Sequence, residues 1–413
     1  MEGLSPLYRR VAGIDVHKML HVVIAVIEHP DGTLEQQSRE FGGFRRDCRA
    51  LASWLLALNV ELVVMESTGI YWKSLYAHLE RAGIQAWVVN AHFVRHVPGR
   101  KTDMNDSQWL AVLARFGLVR GSFIPPQDLR ELRLVSRYRR KLTAMRASEI
   151  NRLHKMLDDG GIKLGGVVTD INGLSAREMV AGLIAGKPIT ALLEMARGRL
   201  KSRREDLQAA LDGDLTARHR FILQHIHKHI EILEHSLAEL DAYILAAMAP
   251  YQWAHRLLQT VPGIDQIASA LILIEIGDDM TRFGNADRLA AWAALCPGNN
   301  ESAGRRKSAR IGKASSVIRY IMCECANSAW KTKSSLAAKY RSLMVRKTHK
   351  KAIIALAHKM IRLIFLLLTR KVAYHDPQID YQAIGAKKNA PRWIRQLKAI
   401  GQWPDEASAS VTT

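Results

Sequence analysis

Cysteine is scarce in this sequence, with 4 in 413 residues. So few thiols make no disulfide framework, and we expect a reducing, cytoplasmic setting. Cys323 and Cys325 form a C-x-C pair without a second pair, which is weak support for zinc. Long hydrophobic runs are also missing, because stretches such as LIFLLL (363–368) are far too short to span a bilayer. The N-terminus lacks the layout of a signal peptide, so we expect no membrane partner.

Acidic residues are in short supply relative to basic ones. Asp and Glu total 39 against 60 Lys and Arg, which gives a net charge of +21. Such an excess favours a polyanionic partner, because each neutralised phosphate releases counterions. The cations are dense at 130–155 and 305–350, and we predict phosphate contacts there, with Arg137, Arg139 and Arg140 in the first segment. A merely soluble basic surface is the alternative, and membrane binding is weaker because no amphipathic anchor with large aromatics is evident.

The first part of the chain alternates between strand and helix patterns. Three β-rich stretches at 11–17, 21–28 and 34–41 come first, then a helix (44–58), a strand (61–68), a helix (70–82), a strand (85–91) and a helix (102–118). This order predicts an antiparallel opening followed by parallel crossover units. It is the order of the ribonuclease-H-like fold, although strand order alone leaves flavodoxin-like alternatives open.

The rest of the chain reads as helical after Pro125-Pro126. A long basic helix is predicted from 128 to about 157, and a second helical region runs to about 248. Apolar residues three and four apart at 223–244 predict the seam of a helical hairpin or coiled coil, although packing inside one chain gives the same pattern. The stretch 257–278 resembles a helix-hairpin-helix, whose turn at Gly263 suits a backbone phosphate, while a structural αα-turn would look similar. We predict regions 1–125, 126–255, 256–345 and 346–413.

Four carboxylates are predicted to meet at one end of the sheet. Asp15 lies late in the first strand and Glu66 ends the fourth, and these strands are neighbours in a ribonuclease-H-like sheet. Asp103 and Asp106 are three residues apart and share one helix face, although Asp103 alone could be an N-cap. Clustered carboxylates repel one another, and a divalent cation compensates. Mg²⁺, with Mn²⁺ as a substitute, prefers oxygen ligands and stabilises both oxygens of a phosphoryl displacement.

Five motifs resemble the IS110 transposase family and, within it, the IS1111 branch. They are GIDVHK (13–18), ESTGIYW (66–72), VPGRKTDMNDSQWLA (97–111), VPGIDQIASALILIEIGD (261–278) and CPGNNESAGRRKS (296–308). The resemblance implies an N-terminal RuvC-like domain, a central helical, coiled-coil region and a mainly helical transposase domain with a basic helical extension. It implies that the four acids of the RuvC-like domain are Asp15, Glu66, Asp103 and Asp106.

The same resemblance places a nucleophilic serine at Ser302. Arg305, Arg306 and Lys307 follow it closely, and Lys101 precedes the acidic pair, so all four cations are predicted phosphate contacts. One departure is the Gly-Asn pair that relatives commonly carry after this loop, where this sequence has Ala314-Ser315.

The family consists of site-specific recombinases of bacterial insertion sequences. We therefore expect a nucleoid-associated transposase that cuts and rejoins donor and target DNA through a covalent phosphoserine. A structured bridge RNA is the expected guide, and a homodimer or homotetramer would share its active site between protomers. One alternative is a RuvC-like nuclease in which water attacks and Ser302 is idle. The other is a nucleic-acid-binding protein with a dead site.

Overall fold

The computed structural model describes residues 5–67, 69–90, 94, 105–298, 300–303, 305–308 and 316–403. The chain divides into two compact units, Met1–Gln127 and Asp128–Thr413. The finer division of the helical part into three regions stays a prediction.

The first unit is a mixed sheet with helices on both faces. Its strands have the order β3-β2-β1-β4-β5, in which β1–β2 and β2–β3 are antiparallel and β1–β4 and β4–β5 are parallel. This confirms the predicted antiparallel opening, the parallel crossovers and the central pairing of β1 with β4. The elements are β1 (Arg10–Val16), β2 (Leu20–Glu28), β3 (Leu34–Gly42), α1 (Arg45–Ala57), β4 (Leu62–Glu66), α2 (Trp72–Arg81), β5 (Ala86–Val89) and α3 (Asp106–Arg115).

Each face of the sheet has its own hydrophobic core, because successive side chains of a strand point to opposite faces. Ile14 and Met65 pack in the core that α1 and α2 cover. Val64 on the other face packs with Trp109 of α3. Gly13 allows α3 to lie directly on β1, since a Cβ at this position would be 1.9 Å from the Ser107 carbonyl oxygen.

The second unit is mainly helical, as predicted, with one short hairpin. The long basic helix predicted at 128–157 is present as α4. The helices are α4 (Gln127–Asp159), α5 (Leu164–Val167), α6 (Leu174–Ile184), α7 (Ile189–Leu193), α8 (Arg204–Leu211), α9 (Ala217–Ala247), α10 (Gln252–Gln259), α11 (Gln266–Ile276), α12 (Ala286–Trp292), α13 (Ser316–Ala329), α14 (Ser335–Met344), α15 (His349–Arg370) and α16 (Tyr381–Ala399). Three 3₁₀ turns lie at Gly198–Arg203, Ala249–Tyr251 and Met280–Arg282, and the hairpin is β6 (Asn300–Ser302) with β7 (Arg305–Ser308).

The apolar seam of α9 is buried inside this chain. Leu223 and Ile230 belong to a core that also contains Leu153 of α4. Further along, Leu237 packs with Leu142 of α4. The packing within one chain is therefore the alternative that the described contacts favour, and a coiled coil between chains stays a prediction.

Helix α15 is, within the described ranges, long and apolar enough to cross a membrane by length and composition. The sequence expectation considered only uninterrupted apolar runs such as 363–368 and therefore did not identify this helix as a candidate span. In the structure 56% of its apolar window is buried, and Leu356, Met360 and Ile364 are fully inaccessible. A core helix passes the same test, so this single helix is weak evidence for a membrane span.

Candidate active site

Two of the predicted acids follow the paired ends of neighbouring parallel strands. Strands β1 and β4 pair up to Ile14 and Met65, and Asp15 and Glu66 are the next residue on each strand. Because Ile14 and Met65 face α1 and α2, the alternation of side chains directs Asp15 and Glu66 to the opposite face. That is the face on which α3 lies.

The first turn of α3 is hydrogen-bonded to the sheet beside Asp15. Ser107 is 1% exposed; its hydroxyl donates to the Val22 carbonyl oxygen at 2.8 Å and accepts from the Asp15 N–H at 3.2 Å. Asp106, the first residue of α3, immediately precedes Ser107 and is exposed. The structure therefore brings Asp15, Glu66 and Asp106 to the same end of the same sheet face.

The cap of α3 differs from one sequence expectation. Asn105 is its N-cap, and the Asn105 side-chain oxygen accepts from the Gln108 N–H at 2.7 Å. The capping role considered for Asp103 thus belongs to Asn105. Asp103 itself lies outside the described residues, as does Lys101.

His17 is a neighbour of the site that sequence reasoning missed. Its Nε2 lies 3.0 Å from Asp15 Oδ2, and the side chain of Asp15 is 26% exposed. The available signal was the spacing, because residues two apart on a strand project from the same face. His17 therefore pairs with Asp15, one of the predicted metal ligands, at this end of the sheet.

The carboxylate oxygens of Asp15, Glu66 and Asp106, at this end of the sheet, are suitable ligands for a hard divalent cation. Carboxylate oxygens are the ligands that Mg²⁺ prefers. Among the residues the structure describes, however, no three acidic, histidine or cysteine side chains form a group that could hold a metal ion. Three predicted ligands share a sheet end and face, and a metal-holding group that includes Asp103 stays a prediction.

Ser302 lies on the short β6–β7 hairpin, of which only the backbone is described. Ser302 pairs with Arg305 and Glu301 with Arg306, while Ala303 in the turn has a φ of 50°. The backbone therefore makes Ser302 and Arg305 cross-strand partners. The roles of Ser302, Arg305, Arg306 and Lys307 stay predictions.

The three arginines predicted to bind nucleic acid on α4 all have partners inside the helical unit. Arg139 binds both carboxylate oxygens of Asp241 on α9, with Nη2 to Oδ2 at 3.0 Å. Arg137 approaches Glu275 Oε1 at 3.8 Å, and the Arg140 guanidinium lies 4.9 Å from the ring centroid of Tyr320. Side-chain exposure is 45% for Arg137 but 21% for Arg139. Arg139 therefore takes part in helix packing.

The turn at Gly263 has the features of a structural αα-turn. Gly263 has a φ of 86°, and a Cβ there would lie 2.5 Å from both the Ala329 nitrogen and the Cys325 carbonyl oxygen. The N-cap of the next helix, α11, is Asp265, whose carboxylate accepts from the Ala268 N–H at 2.7 Å. A carboxylate thus occupies the helix terminus where a phosphate would bind, and phosphate binding at Gly263 stays a prediction.

Comparison with known protein families gives two matches, both to transposases. A transposase model of the IS110 DEDD type matches residues 12–161, and the model "Transposase IS116/IS110/IS902 family" matches residues 255–341. The first match contains the sheet and the four acids, and the second contains the β6–β7 hairpin.

Curated relatives point the same way. The transposase for insertion sequence element IS1111A of Coxiella burnetii is 23% identical over 336 residues, which cover 78% of this chain and 81% of the relative. A probable family 20 transposase of Pseudomonas aeruginosa is 22% identical, with 76% and 85% covered. An uncharacterised 42 kDa protein of insertion element IS900 from Mycobacterium paratuberculosis is 28% identical over 158 residues, with 37% and 39% covered.

A solved structure of RuvC from Thermus thermophilus matches 27% of this chain and 99% of its own chain, at 14% identity and a TM-score of 0.23. The two family models and the curated relatives identify the chain as a transposase of the IS110/IS116 family of insertion sequences.

Proposed function

We propose that this chain is a site-specific recombinase that cuts and rejoins DNA through a phosphoserine at Ser302, with Asp15, Glu66, Asp103 and Asp106 as ligands of Mg²⁺. The observation that carries the proposal is the placement of Asp15 and Glu66 just past the paired ends of two adjacent strands, under the helix that begins with Asp106. Asp15 and Glu66 belong to neither hydrophobic core of the sheet.

The serine step transfers a phosphate without consuming its bond energy. Ser302 Oγ forms a bond to phosphorus, the bond from phosphorus to the departing strand's oxygen breaks, and the proton ends on that oxygen. A serine hydroxyl is a weak nucleophile and needs a base, a metal or a cationic setting. Arg305, its cross-strand partner, supplies positive charge. When bound, the divalent cation would neutralise charge that develops on the phosphate.

Guidance by a structured RNA is part of this proposal, as is a homo-oligomer that contains the complete site. The excess of 21 positive charges supports a polyanionic partner of some kind. The family resemblance is what favours a bridge RNA over DNA alone. Sequencing the RNA that copurifies with the protein tests this part, and random cellular RNA in the preparation would refute it.

Loss of one acid tests the metal assignment. Asp15→Asn and Asp106→Asn each remove a charge at almost constant volume, so recombination in Mg²⁺ should fall to background while the fold persists. Glu40→Gln is the matched control, because Glu40 is an exposed carboxylate on the edge strand β3 of the same sheet. Recombination by Asp15→Asn at the rate of Glu40→Gln would refute the assignment.

A suicide DNA substrate tests the nucleophile. The wild-type protein should form a denaturant-resistant protein–DNA species, and Ser302→Ala should bind DNA without forming it. Ser308→Ala, on β7 of the same hairpin, is the control and should retain the adduct. An adduct in Ser302→Ala would move the nucleophile elsewhere, with Ser308 as the next candidate.

A water-attacking nuclease is the second candidate function, because Asp15 and Glu66 lie at the ends of adjacent strands beneath the helix that begins with Asp106, and such an arrangement of acids needs no serine. End-labelled DNA separates the two functions, since a nuclease yields cleaved ends only and a recombinase yields joined strands. A protein with a dead site would bind nucleic acid but yield neither cleaved ends nor joined strands, with or without metal.

A further inference from the structure

A cavity of about 460 Å³ opens between α14, α15 and the segment leading into α16. Lys339, Lys359 and Arg362 line it, and no aspartate or glutamate does so among the residues described. Leu363 and Leu366 give it an apolar wall. Its volume is in the range of sites that hold small organic ligands.

The two lysines of this cavity share one aromatic ring instead of a carboxylate. Lys339 Nζ lies 4.9 Å and Lys359 Nζ 5.1 Å from the ring centroid of Tyr381, and Lys359 also donates to the Tyr381 hydroxyl at 2.9 Å. Within the described part of the chain, neither ammonium group has an ion pair. Arg362 differs, because its Nε lies 3.1 Å from Asp287 Oδ1.

A neutral ring is a weak partner for two positive charges. A cation over an aromatic face gains about 0.5–2 kcal/mol, depending on exposure. A hydrogen bond to a charged group contributes about 1.5–3 kcal/mol, and an anion would also relieve the repulsion between the two ammonium groups. A phosphate is therefore a better partner for Lys339 and Lys359 than Tyr381 is.

The apolar wall indicates what the phosphate is attached to. Leu366 is 43% exposed although it lines the cavity. A free phosphate leaves such a wall in water, whereas a nucleotide covers it with its base. Only an unpaired base has its face available, because a duplex stacks the bases inside. Single-strand binding sites combine cations that follow the backbone with surfaces that receive bases.

We infer that this cavity binds one nucleotide of a single-stranded nucleic acid, with the phosphate on Lys339 and Lys359 and the base against Leu363 and Leu366. The inference rests on the proposed function only in requiring that the protein has a nucleic-acid substrate. It concerns none of the residues proposed for the chemistry.

Salt dependence of binding to a labelled oligo(dT) strand tests the inference. Each phosphate contact with a single strand contributes about 0.7 to the slope of log affinity against log salt. Lys339→Gln/Lys359→Gln should therefore flatten the slope by about 0.7 and weaken binding at low salt. Lys187→Gln/Lys228→Gln is the matched control, because it removes the same charge from two exposed positions of the same unit. Lys339→Arg/Lys359→Arg keeps the charge and should keep the slope.

Three outcomes would overturn the inference. The first is that Lys339→Gln/Lys359→Gln has the same slope of log affinity against log salt as Lys187→Gln/Lys228→Gln. The second is an equal change of slope on oligo(dT) annealed to oligo(dA), which would remove the single-strand assignment. The third is a wild-type protein that binds no oligonucleotide, which would refute the proposed function as well and so is distinguishable from the other two.

Chemical protection locates the ligand and identifies its source. Acylation of Lys339 and Lys359, followed by mass spectrometry, should be suppressed by oligo(dT) and less strongly by thymidine monophosphate. Inorganic phosphate at the same concentration should protect neither lysine. Equal protection by inorganic phosphate and by oligo(dT) would show that the cavity binds a free anion, and would refute the assignment of a nucleotide to it.

Discussion

Two basic parts of the helical unit differ in the partners of their cationic side chains. On α4, arginines reach carboxylates of the chain itself, in the pairs Arg133–Glu275, Arg139–Asp241, Arg146–Glu234 and Arg152–Glu149. In the cavity beside α15, the ammonium groups of Lys339 and Lys359 lie over the ring of Tyr381, and neither forms an ion pair among the described residues. The richer run of cations in the sequence is thus the one with more internal partners.

The difference shows that the density of cations along a sequence does not tell which cations have acidic partners in the fold, since Lys339 itself lies in the dense segment 305–350. Asp241 is 102 residues from Arg139, and the Glu275 carbonyl oxygen is 142 residues from the Arg133 guanidinium that donates to it. Acids so distant are invisible to a local count of charge. What remains available to a polyanion is the set of cations that folding leaves without carboxylates, and each part of this comparison can be tested by substitution.

Removing Arg133 should have the largest effect on stability. Its side chain is 14% exposed, its Nε lies 3.4 Å from Glu275 Oε2, and the same Nε donates to the Ile274 carbonyl oxygen at 3.2 Å. Glu275 is 1% exposed. Among the described residues, Arg133→Met leaves that buried carboxylate with Arg137 alone, at 3.8 Å, so we expect a loss of about 3–5 kcal/mol in the free energy of unfolding. Denaturant unfolding followed by circular dichroism measures it.

The matched substitution in the cavity should cost far less. Lys339→Met breaks no ion pair of the described chain and removes one cation–π contact with Tyr381, so we expect a loss of no more than about 1 kcal/mol. Arg133→Met/Glu275→Leu is the second control, because removing both charges should restore much of the stability that the single change loses. Equal losses for Arg133→Met and Lys339→Met would abolish the distinction between packing cations and available cations.

Arg139 should affect stability but leave nucleic-acid binding unchanged. Its two hydrogen bonds to Asp241 join α4 to α9, and both side chains are mostly buried. Arg139→Gln should lower the free energy of unfolding by about 1–3 kcal/mol, since it removes hydrogen bonds to a charged group. The salt slope for oligo(dT) should not change. A flatter slope in Arg139→Gln would return α4 to the nucleic-acid surface.

The individual strands and the helix that begins with Asp106 could be predicted from sequence because they follow from local periodicity, whereas the pairing of β1 with β4 was expected only from the ribonuclease-H-like strand order. Alternation along β1 and the apolar β4 ending at Glu66 fix strand identity, and parallel pairing of adjacent strands then brings their ends together. The helix with Asp106 follows from its apolar spacing.

Partners across the fold are what the sequence could not predict. The seam of α9 reads identically for packing within or between chains, and only the contact with Leu142 and Leu153 distinguishes them. Gly263 reads equally as a phosphate-binding turn or as a close approach to α13. In each case the residue type limits the chemistry, while the tertiary neighbour decides which chemistry is used.

A third kind of basic group is buried and forms no ion pair among the described residues. His21 at the start of β2 is 3% exposed, and its Nε2 lies 3.9 Å from Cys48 Sγ. Burial lowers the pKa of His21, and the nearby His17 lowers it further, against opposing contributions from the Leu20 backbone and Asp47. A basic side chain that lacks a carboxylate can thus remain buried by losing its proton.

The pH dependence of stability tests this third case and should show the smallest effect. The unfolded chain has a His21 pKa near 6.5, and the folded chain a lower one. Between these values the unfolded state binds more protons, so the stability present above pH 6.5 is lost as the pH falls. The melting temperature of the wild-type protein should therefore fall on acidification from neutral pH, and His21→Gln should reduce the slope of that fall. His29→Gln is the control, because it removes a histidine whose side chain is 40% exposed in the same unit. Equal slopes for the wild-type protein and His21→Gln would show that His21 keeps its proton when buried, which would require an acidic partner after all.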